Sequence, residues 1–140
     1  MTKQETTEIT LSYLLEYVGG DQPPFPKIYN RSERLERLES RIKKIGIKVR
    51  KKERKLKNHL TIVLFSFPPE KLPAIREEYQ KLTPAELSKV LNALYDRKVS
   101  PDTLNWMARQ GKLPAEKSIR SRHFVFNRGL RNALRRNALL

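Results

Sequence analysis

The side chains best suited to chemistry lie in residues 99–126, "VSPDTLNWMARQGKLPAEKSIRSRHFVF". Asn105 carries an amide that donates and accepts at once, the pairing that an adenine edge takes bidentately, while Arg109, Arg120 and Arg122 supply guanidiniums suited to phosphate oxygens. Thr103 and Trp106 add a hydroxyl and an aromatic surface within the same short segment. A second concentration of cations, Arg50, Lys51, Lys52 and Arg54, belongs to residues 41–57, which hold ten basic side chains and one acid. Such groups favour anionic partners. Plainer readings stand beside these. A charge run is commonly a solvated hairpin tip, a lone tryptophan is more often a core anchor than a base contact, and His123 reads as structural.

Composition narrows the partners. The 30 Lys+Arg against 15 Asp+Glu give a formal net charge of +15. The excess is uneven, with 17 basic and 11 acidic residues over 1–80 but 13 and 4 over 81–140. That balance favours nucleic acid first, and an anionic membrane or acidic protein second. The absence of cysteine, with histidine only at 59 and 123, excludes a zinc finger, a cysteine nucleophile and disulfide staples. There is no Walker loop, no H-E-x-x-H and no familiar Ser/His/acid spacing, so neither enzymatic activity nor a cofactor or metal is expected. No apolar run approaches membrane-spanning length and "MTKQETTEITLS" lacks a basic leader, which predicts a soluble, cytoplasmic protein without a membrane partner.

The elements that must position these side chains are punctuated clearly. Residues 8–18, "EITLSYLLEYV", predict a buried helix stopped by Gly19 and Gly20, and "DQPPFP" breaks the chain. "NRSERLERLESRIKKIG" predicts a helix capped by Ser32, with Leu35, Leu38, Ile42 and Ile45 as its apolar stripe and Gly46 beyond its end. The period then alternates from Ile45 through Val49, a polar turn follows near residues 55–58, and residues 61–67 are rich in β-formers, which together predict a hairpin with a cationic outer face. "AIREEYQK" is a short helix leading to a boundary near Lys81. Thr83, Pro84 and Glu86 start a helix with a capping box, and Ser100 and Pro101 start another that Gly111 ends. "SIRSRHFVF" alternates as a hairpin should, and "NRGLRNALRRNAL" closes the chain as a helix.

Taken in order, "LTPAELSKVL", "VSPDTLNWMARQGKLPA" and "RHFVFNRGLRNAL" resemble the winged helix-turn-helix shared by mercury-resistance-type regulators and phage excisionases, over about residues 82–138. The resemblance implies a second helix that enters the major groove and a wing that touches phosphates or the adjacent minor groove. Carried over, Ser100 caps the recognition helix, Thr103, Asn105, Trp106 and Arg109 fall on it, and Arg120 and Arg122 lie in the wing. Two departures are visible: "ALYDRK" is inserted between the helices, and Asn105 stands where arginine is common.

Upstream, "YLLEYVGGD" followed by "KIYNRSERLERLESRIKKIGIKVRKKERK" resembles half of a LAGLIDADG-type homing endonuclease, which would place strands against DNA and a metal-binding acid at Asp21. Glu16 replaces a small packing residue and Gly19 the first acidic position, so the likeness is architectural and no catalytic or metal-binding residue is assigned. The fold expected is α+β, with an N-terminal helix/β-hairpin unit over 1–80 and a winged helix-turn-helix over 81–140. The function expected is DNA-binding regulation of transcription, or a recombination accessory role, with double-stranded DNA as partner. The alternatives are a small phage-type regulator that binds RNA polymerase or another transcription component, and a metal-dependent endonuclease. The tail "GLRNALRRNALL" is a candidate homodimerisation helix.

Overall fold

The computed structural model describes residues 7–117 and 122–140. Along the chain run β1 (Thr7–Thr10), α1 (Leu11–Tyr17), α2 (Phe25–Ile28), α3 (Arg31–Lys44), β2 (Arg50–Lys55), β3 (Thr61–Phe67), α4 (Leu72–Gln80), β4 (Lys81–Leu82), α5 (Pro84–Tyr95), α6 (Pro101–Arg109), β5 (Glu116–Lys117), β6 (Arg122–Val125) and α7 (Arg128–Arg136). Two compact units result: Met1–Gln22 with Tyr29–Tyr79, and Pro23–Ile28 with Gln80–Leu140. Each combines helices with a three-stranded antiparallel sheet, so the chain is α+β. The sequence reading drew a single boundary near Lys81; the contacts add an early excursion through Pro23–Ile28. No described helix is long and apolar enough to cross a membrane.

In the first unit β3 is central, with β1 on one side and β2 on the other. Residues 8–10, predicted as helix, form β1 instead. Pairing with β3 satisfies their backbone groups and sets Ile9 opposite Phe65, both buried. The helix starts only after Thr10, whose hydroxyl accepts the Tyr13 N–H at 3.1 Å. The N-cap of α3 is Asn30, not Ser32: its Oδ1 accepts from the Glu33 N–H at 2.9 Å, and Glu33 Oε1 accepts from the Asn30 N–H at 3.1 Å. That reciprocal box satisfies two otherwise orphaned donors, which a cap two residues later, at Ser32 with Leu35 as its third helical residue, would forgo. Gly46, at φ +71°, takes the left-handed position just beyond α3.

β2 begins at Arg50, later than the alternation suggested. Ile47 and Val49 line a cleft with Ile42 and Phe65, so their spacing reflects burial of a connecting segment rather than ladder pairing. Arginines of α3 tie it to its surroundings: Arg37 donates to the Tyr79 carbonyl, Arg41 lies 3.4 Å from the Glu78 carboxylate, and Arg34 pairs with Asp21 at 3.0 Å. Arg41 and Glu78 are both buried. Tyr79 is fully buried under the Arg37 guanidinium, and burial pushes its hydroxyl up to about 12 against the opposing pull of Arg37 and Arg34.

The second unit contains the Pro-rich stretch predicted as a simple break. It holds one helical turn, because Pro26 lies in the first turn of α2, where a missing N–H breaks no bond. Phe25 is buried, and α2 packs on α5. Thr83 and Glu86 cap α5 reciprocally at 3.2 and 3.0 Å. Leu87, Val90 and Leu91 of α5 and Leu104, Met107 and Ala108 of α6 supply buried apolar faces at helical spacing. β6 lies between β4 and β5 and buries Phe124; α7, capped by Asn127, buries Leu130, Ala133 and Leu134.

Candidate nucleic-acid interface

Ser100 fixes the start of α6: its Oγ accepts the Thr103 N–H at 3.2 Å and lies 2.8 Å from the Thr103 hydroxyl. With Leu104, Met107 and Ala108 turned inward, the period of about 3.6 residues puts Asp102, Thr103, Trp106, Arg109 and Gln110 outward. Trp106 is 50 % exposed, so the core-anchor reading fails; the buried stripe passes one residue beyond it. Lys112, just past the Gly111 turn, places its ammonium 4.9 Å from the Trp106 ring centroid. The ammonium over the ring is a cation–π contact on an exposed surface.

The segment "ALYDRK" between the two helix cores is accommodated locally. Ala93, Leu94 and Tyr95 extend α5, Asp96 ends it in the left-handed conformation at φ 52°, and the Arg97 N–H returns to the Leu91 carbonyl at 3.1 Å. Ser88 Oγ then donates to the Val99 carbonyl at 2.5 Å, tying the connection to α5 immediately before α6 begins.

Asn105 stands at the flank of α6, half-buried, with Oδ1 covered and without a hydrogen-bond partner. A bidentate adenine contact therefore requires the amide to swing outward, which would also expose that acceptor. Arg109 is exposed, and Arg122 opens β6 opposite Lys117 of β5. Arg120 lies outside the described residues. Arg50, Lys51, Lys52 and Arg54 are all exposed on β2, in the other unit. Asp21 pairs with Arg34, and among the described residues no group of three or more His, Cys, Asp or Glu could hold a metal.

Two features escaped the sequence reading. Lys112 was visible only as one more cation, since its seat over Trp106 depends on the turn at Gly111. The outer face of α7 carries Arg128, Arg131, Arg135 and Arg136, all exposed, with no acid on the helix. Their spacing of three and four residues was a readable signal for that cationic stripe.

The chain matches no protein-family model, no curated protein and no solved structure.

Proposed function

We propose that Gln80–Leu140 forms a winged helix-turn-helix that binds double-stranded DNA and regulates transcription, with α6 as the recognition helix and the β5–β6 hairpin as the wing. The observation that carries this reading is Trp106. A helix serving only the core would hide its tryptophan, whereas α6 holds it outward beside Arg109 and under Lys112. The order of helix, helix, hairpin and helix agrees with such a domain. So does the charge of residues 81–140, with 13 basic and 4 acidic side chains.

Fluorescence anisotropy of a random-sequence duplex, titrated across salt, tests the proposal. Steep log–log salt dependence is the expected result, with about 0.9 in slope for each phosphate neutralised. Weak binding with a shallow slope would refute it and turn attention to RNA polymerase, for which co-purification surviving nuclease treatment is the direct assay.

A further inference from the structure

Four large hydrophobic side chains are exposed among the described residues, and two of them, Leu56 (41 %) and Leu60 (59 %), flank the tip of the β2–β3 hairpin. Only Lys57, Asn58 and His59 separate them. The tip has a defined shape: the Leu56 N–H donates to the Leu60 carbonyl at 2.8 Å, and the His59 N–H donates to the Leu56 carbonyl at 3.1 Å. His59 takes the left-handed conformation at φ 63°, which closes the turn.

The stem below this tip is cationic, chiefly on one face. All six residues of β2 are exposed and five are basic. Strand alternation puts Arg50, Lys52 and Arg54 on one face and Lys51, Glu53 and Lys55 on the other, with neighbours on a face about 6.8 Å apart. Lys51 pairs with Glu39 at 3.1 Å, whereas Arg50, Lys52, Arg54, Lys55 and Lys57 form no ion pair among the described residues.

Charges along an edge strand guard it against pairing with other chains, and that accounts for the stem. It does not account for the leucines. Leu56 and Leu60, paired across the end of the ribbon, form a small apolar tip that a partner of matching shape would cover. A duplex groove is walled by phosphates, which the row of Arg50, Lys52 and Arg54 would meet, and apolar side chains at a tip can enter a base step and unstack it. A lipid surface would attract the same charges but takes a broader apolar face than two side chains provide.

We infer that the β2–β3 hairpin is a DNA-bending arm, in which the β2 cations hold phosphates and Leu56 and Leu60 wedge against a base step in the minor groove. The inference takes duplex DNA as ligand from the proposed function but makes no use of α6.

The test uses the full chain and a short random-sequence duplex with donor and acceptor dyes at its ends, so that energy transfer reads bending while anisotropy reads affinity. Leu56→Ala with Leu60→Ala should abolish most of the rise in transfer while changing affinity by less than about tenfold, since the wedge serves deformation more than attraction. Lys52→Ala with Arg54→Ala should lower the log–log salt slope by about 1.8. All four side chains are exposed, and thermal melting verifies that both variants fold. Unchanged bending in the leucine variant, or an unchanged slope in the cation variant, overturns the arm. Binding to phosphatidylserine vesicles in place of the duplex overturns it as well. A parent that binds the duplex without bending it, and loses that binding when Arg109 and Arg122 are replaced, overturns the arm alone; a parent that ignores the duplex overturns both readings.

Discussion

Replacing Arg109 and Arg122 together by alanine separates a groove-docked α6 from a merely basic surface. Neither guanidinium is in an ion pair among the described residues, so each is available to one phosphate. Two lost phosphate contacts should reduce the log–log salt slope by about 1.8, so the parent's advantage over the variant shrinks about 12-fold between roughly 50 and 200 mM salt. The fold should tolerate both changes. Arg109 lies in the last turn of α6, where its interaction with the helix dipole is worth about 0.3–1 kcal/mol. Arg122 faces Lys117 across the β5–β6 ladder, and removing one of two like charges there relieves repulsion. Unfolding midpoints should therefore stay close while anisotropy titrations diverge. Parallel log–log lines for parent and variant, with folding intact, would refute the placement of these arginines on phosphates.

Other predictions concern the frame of the first unit. The Tyr79 hydroxyl keeps its proton in the folded chain up to about 12 but loses it near the ordinary 10 when unfolded, so the unfolded state binds fewer protons in that window. Stability contributed by this group is complete below about pH 10 and declines by about 3 kcal/mol as pH approaches 12. Urea denaturation of parent and Tyr79→Phe at both ends of the window should show the difference between them narrowing or reversing by that amount. A Cβ added to Gly20 would fall 2.4 Å from Leu15 Cδ1 and 3.0 Å from Tyr79 Oη, so Gly20→Ala should lower stability by about 1–3 kcal/mol, measured by thermal melting. Glu78→Gln removes the carboxylate facing buried Arg41 and should cost about 3 kcal/mol in denaturant, whereas Glu39→Gln, at an exposed pair with Lys51, should cost less than about 1 kcal/mol.

Much of the frame was legible because it is local. Thr83, Glu86 and Ser100 declare their helix starts within four residues, and Gly46 and Gly111 mark helix ends by adopting positive φ. The errors arose where distant residues decide. Glu8, Ile9 and Thr10 carry a mixed pattern that only β3, some fifty residues on, resolves as strand. Ile47 and Val49 alternate like a strand yet serve a cleft with Phe65, and Asn30 outcompetes Ser32 because Glu33 can answer it. On the candidate interface, the outward course of α6 followed from Leu104, Met107 and Ala108. The seat of Lys112 on Trp106 and the covered acceptor of Asn105 needed three-dimensional placement.

The passage of Pro23–Ile28 into the second unit has a consequence for biosynthesis. During translation this segment leaves the ribosome well before α5, so Phe25 has no partner from that helix until most of the chain has been made. The second unit therefore joins an early segment to a late one. A gene fragment beginning at residue 80 would yield α5 without α2, and a protease cutting once between Tyr79 and Gln80 would leave Pro23–Ile28 covalently attached to the other half. Neither unit, therefore, is encoded by one continuous stretch of the chain.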